Sequence, residues 1–135
     1  MTNLPLTLKK FTCLFLLATT VQFTQAQSVD FVEPRNGEVV TSPFKVVFGL
    51  TGMTVAPAGE MTKDTGHHHL LINSASIPAG TVVPADETHK HFGKGQTETL
   101  VTLPPGKYQL TMQFANGAHQ SYGEKMSKTI EVTVK

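Results

Sequence analysis

The sequence predicts an all-β fold, an immunoglobulin-like antiparallel β-sandwich of about seven strands, and three observations carry that prediction. Apolar side chains recur with a period of two along several segments, turn chemistry separates those segments, and no stretch holds a helical period. Val29–Val32 and Glu38–Thr41 read as short strands divided by the turn Pro34-Arg35-Asn36-Gly37. Phe44, Val46, Phe48 and Leu50 then alternate with Lys45, Val47 and Gly49, so four large apolar groups share one face. His68–Ile72 and Glu98–Leu103 are further candidates, followed by the turn Pro104-Pro105-Gly106. Tyr108, Leu110, Met112 and Phe114 alternate with Lys107, Gln109, Thr111 and Gln113; Ile130, Val132 and Val134 alternate with Thr129, Glu131 and Thr133. Tyr108, just past Pro104-Pro105-Gly106, is placed to bond its hydroxyl back to the preceding backbone, as in the tyrosine corner of such sandwiches.

The ends divide the chain into a leader, 1–26, and a single domain, 27–135. Lys9 and Lys10 precede an apolar run from Phe11 to Val21, and Thr24-Gln25-Ala26 offers the small residues of a cleavage site after Ala26. That run is about half the ~20 residues needed to span a bilayer, so a cleaved export signal and a periplasmic address are the expectation. Cys13, the only cysteine, leaves with the leader, which removes disulfides and thiolate ligands from the mature domain. The formal charge is +1 and turns slightly negative once Lys9 and Lys10 are lost. Nothing basic remains to attract nucleic acid or an anionic membrane, and no second apolar segment is long enough for a membrane span.

The chemistry is concentrated in histidine. All six histidines fall between residues 67 and 119, as His67-His68-His69, then His89 and His91, then His119. On a strand, His67 and His69 share one face, while His68 joins Leu70 and Ile72 on the other and reads as the buried member. His89 and His91 repeat the two-residue spacing, with Lys90 turned away. Two long loops, Gly52–Gly66 and Asn73–Thr88, run straight into these two histidine segments, and loops of that length are usually functional. If the segments are neighbours, His67, His69, His89, His91 and His119 can surround one metal ion. His67, at the start of its strand, reads as the most dispensable of them. His68 is a further ligand candidate, as are Met53, Met61 and Met126, and Glu98 and Asp64 are the carboxylates closest to the histidines. Thioether with imidazole suits Cu(I), which makes copper the first choice of ion and zinc the alternative. Each methionine taken singly reads more simply as a cover for apolar surface. Neither His-x-His pair matches the ligand spacing of the common zinc motifs.

The chain resembles a bacterial family known as domain of unknown function 4399. The resemblance rests on Gly66-His67-His68-His69-Leu70-Leu71-Ile72-Asn73 and on His91-Phe92-Gly93-Lys94-Gly95-Gln96-Thr97-Glu98. It continues through Leu103–Leu110, Ala115–His119 and Met126-Ser127-Lys128. It implies an exported bacterial protein of no established activity. The second of these blocks is not a phosphate loop, because the glycine spacing and a following helix are absent. It reads as a turn that carries His91 onward, with Gln96, Thr97 and Glu98 as hydrogen-bond partners orienting the imidazoles.

Three functions follow in order of support. The first is a metal-binding module for storage, delivery or sensing, with a metal ion and an envelope protein as partners. The second is an envelope or adhesion domain whose histidines form a structural hydrogen-bonded network. The third is a metal-dependent enzyme with three histidines and an open position. It is the least supported, because Ser74, Ser76, Ser121 and Ser127 stand beside no legible base.

Overall fold

The computed structural model describes residues 21–22 and 24–135. Most of the expected leader, 1–26, with Cys13 in it, lies outside the described residues. Nine strands and one short 3-10 turn follow: β1 (Ser28–Glu33), β2 (Glu38–Val40), β3 (Phe44–Thr51), β4 (Thr54–Val55), β5 (Thr65–Ile72), β6 (His89–His91), β7 (Glu98–Val101), β8 (Gly106–Ala115) and β9 (Ser127–Val134), with the turn at Glu124–Met126. The alternating segments become strands as their period requires. The two added strands, β4 and β6, have only two and three residues, too few for any pattern to announce. Among the described residues no helix is long and apolar enough to cross a membrane.

The strands form two sheets. One has the order β1-β3-β7; the other runs β2-β9-β8-β5-β4, with β6 also paired to β5. Most pairings are antiparallel, but β2 lies parallel to β9 and β4 parallel to β5. The second sheet curls into a half-barrel. One core joins the sheets: Val29, Phe31, Phe44, Val46, Phe48 and Val101 from the first meet Leu70, Ile72, Leu110, Met112, Phe114, Ile130, Val132 and Val134 from the second. These are the inward positions that the period of two marks in β3, β8 and β9. The Tyr108 hydroxyl donates to the Pro104 carbonyl at 2.9 Å, fastening the entry to β8.

The far face of β5 and β8 departs from simple alternation. There Leu71, Thr111, Gln113 and Ala115 are buried as well. The long loop 73–88 folds over this face, and Leu71 and Ala115 pack with Val83 and Ile77 in a small second cluster. Gln113 is fully buried and fastens the cover. Its Oε1 accepts from Ile77 N at 2.9 Å, and its Nε2 donates to the carbonyls of Gly123 at 3.1 Å and Met126 at 3.2 Å. Burying an amide is tolerable only when its donors and acceptors are met, and here they are.

Candidate metal centre

β5 is the axis of the site. It pairs with β8 along one edge, and β4 and β6 divide its other edge between them. Alternation sends His67 and His69 to the face covered by loop 73–88, while His68 enters the core between the sheets. In β6, His91 lies directly across from His69, so the antiparallel register brings an edge-strand imidazole beside the central pair. His67 fits deep in the sheet because Gly66 precedes it. A Cβ at Gly66 would collide with the Ala115 carbonyl and stand 2.8 Å from Phe114 Cε1.

His119 arrives from a different part of the chain. Asn116 builds the turn that presents it: the Asn116 Oδ1 accepts from Ala118 N at 2.9 Å and Gln120 N at 3.0 Å, and His119 N donates to Asn116 O. Val83 N donates to His119 O, which ties this turn to loop 73–88. His119 sits at φ 63°, in the left-handed region where a residue with a side chain is held only by its surroundings. The other long loop packs against both outlying ligands. Ala58 N donates to Gly93 O, and Gly59 N donates to Gly117 O, each at 2.8 Å. A Cβ at Gly117 would strike the Glu60 backbone, so only glycine allows this approach.

Together these elements bring His67, His69, His91 and His119 into one group, with one ring nitrogen from each lying within 4.8 Å of all the others. His67 Nε2 lies 3.1 Å from both His119 Nδ1 and His91 Nε2. A tetrahedral zinc with Zn–N bonds of ~2.0–2.1 Å separates its nitrogens by about 3.3 Å, so the widest pair would close by roughly 1.5 Å. His67 and His69 are 0% and 1% exposed, His119 is half-buried and His91 is exposed. This group could hold a metal ion.

Protonation favours the same use. Burial, then the neighbouring charges of His91 and His119, pushes His67 down to about 4. Burial followed by the charges of His67, His91 and His119 takes His69 to about 3. His91 is lowered for the same reasons, burial first and His119 second. At neutral pH these rings keep their lone pairs free, so a metal has no proton to displace from them. Hydrogen bonding alone does not satisfy the cluster. One ring nitrogen carries either a single N–H or a single lone pair, yet His67 Nε2 faces two partners while its buried Nδ1 has none.

The remaining sequence candidates lie elsewhere. His68 is not with the group: it stacks on Phe48 at 4.8 Å and packs on Phe114 at 5.0 Å, with neither ring nitrogen partnered. His89 is held by Asp86, whose Oδ1 lies 2.8 Å from its Nδ1, although it shares the spacing of His91. Asp86 Oδ1 also accepts from Thr88 N and His89 N, so the carboxylate organises a tight turn and captures the ring on its way. Ser74 Oγ lies 3.4 Å from His89 Nε2, which corrects the expectation that this serine has no base beside it. Met53 packs against the core, Met126 is buried in it, and Met61 is exposed. Glu98 pairs with Lys45 at 3.0 Å on the opposite sheet, and Asp64 accepts from Gln27. Gln96 accepts from Lys94 N, and Thr97 O accepts from Phe48 N, so that block supports its own loop and not the imidazoles. His67, which reads as dispensable from its place in the strand, stands at the middle of the group because β5 begins two residues earlier, at Thr65. Gly93, Asn116 and Gly117, which the sequence marks only as turn residues, and Gln113, which it sets on the outward side of its strand, carry the geometry. The signal for Asn116-Gly117 was its turn chemistry; for Gln113 it was a polar residue in a strand bounded by aromatic ones.

Residues 46–135 match the family described as "Domain of unknown function (DUF4399)". The chain belongs to that family. The match begins within β3 and takes in all four clustered histidines of this DUF4399 domain. No curated protein matches it. Among solved structures it is similar to the endo-beta-1,4-mannanase from Thermotoga petrophila, at 12% identity and a TM-score of 0.47. That likeness covers 81% of this chain and 20% of the other, so the chain spans about a fifth of that protein's length.

Proposed function

We propose that this DUF4399 protein is an exported metal-binding module in which His67, His69, His91 and His119 hold one divalent ion for storage, delivery or sensing. The observation that carries the reading is the convergence of four ring nitrogens within 4.8 Å, two of them on the buried rings of His67 and His69, which burial keeps neutral. The ligand set is all imidazole. Copper is the first choice of ion, and a site of four nitrogens binds Cu(II) most tightly among first-row divalent ions. Zinc is the alternative, suited to four nitrogens in a tetrahedron. The periplasmic address rests on the sequence of the leader, and N-terminal sequencing of the protein from an envelope fraction tests it. An immunoglobulin-like sandwich is the fold that the shared core and the Tyr108–Pro104 bond favour.

Thermal unfolding with and without Cu(II) and Zn(II) tests the function. At a hundred times its dissociation constant, a bound ion adds ~2.7 kcal/mol to stability. The double variant His67→Ala/His69→Ala abolishes that gain. A second reading draws on the 3.1 Å contacts among His67, His91 and His119, which lie within hydrogen-bond range. In that case the histidines form a structural network in an envelope-interaction domain. Its signature is a wild-type protein that no metal stabilises.

A further inference from the structure

The four imidazoles are not held alike. His67 and His69 lie on an interior strand of their sheet, between β8 on one side and β4 and β6 on the other, and are essentially without solvent contact. His119 is locked by Asn116 and by the Val83–His119 main-chain bond. His91 ends a three-residue strand that pairs only with β5, and it is exposed. Its ring folds back over its own chain. A Cβ at Gly93 would overlap His91 Cε1, stand 2.5 Å from Nε2, and lie 3.1 Å from Ala58 Cβ. Gly93 has no positive φ in its favour, so the space for the ring is its role at this position.

We infer that His91 is the exchangeable ligand of the metal centre, seated by Gly93, and that metal enters and leaves by its replacement with an external nitrogen donor while His67, His69 and His119 keep hold of the ion. This deepens the metal-binding reading and rests on it. The external donor is of imidazole type, such as a histidine presented by an acceptor protein. One metal–nitrogen bond breaks as another forms, with no redox change and no net proton transfer when both donors are neutral. Gly93 acts here as a positioning residue through His91.

The test loads wild type, His91→Ala, Gly93→Ala and His69→Ala with Cu(II), recording the Cu(II) electron paramagnetic resonance spectrum and the rate of metal loss to excess EDTA. His91→Ala and Gly93→Ala are expected to retain one ion with an altered spectrum, to bind it about 10–100-fold more weakly and to release it faster. Free imidazole restores the wild-type spectrum in His91→Ala, whose vacated place opens to solvent. It does not do so in His69→Ala, whose place is buried. His91→Ala releasing metal no faster than wild type overturns the proposal, as does equal rescue of the two histidine variants by imidazole. Gly93→Ala with an unaltered spectrum removes the seat assigned to it. Wild-type protein that takes up no metal overturns the binding reading itself and this inference with it, whereas binding with unchanged exchange in the variants overturns only the inference.

Discussion

Three consecutive histidines on one strand meet two opposite fates. His67 and His69 face other imidazoles, and His68 lies between phenylalanine rings in the core. Residue type and neighbours in sequence are the same; only the side of the sheet differs. On the outer side a buried ring nitrogen finds other donors converging on one point. On the inner side both nitrogens of His68 go without a partner. Burying a polar group unpaired costs roughly 1–3 kcal/mol by mutational measures. The apolar contacts of Phe48, Phe114, Leu70 and Ile72 in the same cluster offset that cost. The comparison separates two uses of one residue, ligand and core filler, and makes each open to test.

The largest effect belongs to the outer face. Removing His67 and His69 together is expected to erase the ~2.7 kcal/mol that Cu(II) confers at a hundredfold excess over its dissociation constant, as read from the shift of the unfolding midpoint. Acid acts on both faces of the metal-free protein. His67 and His68 titrate at about 4 in the fold and His69 at about 3, against 6.5 for each when unfolded. Between these values the unfolded chain carries more protons, so stability is fully present above pH 6.5 and falls as the pH drops toward 4 and then 3. Denaturant melts across that range that stay flat would contradict the burial of these rings.

His68→Leu separates the faces. It replaces an unpaired buried imidazole by an apolar group, so it is expected to stabilise the metal-free protein by about 1–2 kcal/mol at neutral pH. It also flattens part of the acid slope and leaves the affinity for Cu(II) unchanged. Loss of metal binding in this variant would mean that the two faces are coupled. The smallest effect is expected from His89→Ala. It leaves metal affinity as it is, because the ring belongs to Asp86, and calorimetric titration of this variant against wild type checks it.

Much of this is legible in the sequence. Alternation along β5 sorts His68 from its neighbours, and alternation in β3, β8 and β9 marks the core. What a period cannot carry is registry between strands. The pairing of His69 with His91 depends on where a three-residue edge strand settles. His89 was lost to a local competitor, since Asp86 and Thr88 make a turn that takes its ring before any distant partner can. Met126 reads as a loop residue because the short 3-10 turn that buries it has no periodic signature. Gly93 and Gly117 do their work through close approach of remote segments, which one-dimensional spacing does not encode.

The side-chain amide of Gln113 holds loop 73–88 through Ile77 and the segment after His119 through Gly123 and Met126. Two excursions separated by more than thirty residues therefore share a single clasp. In hydrogen–deuterium exchange, main-chain amides on both sides of that clasp should open as one cooperative unit, and Gln113→Ala should release them together.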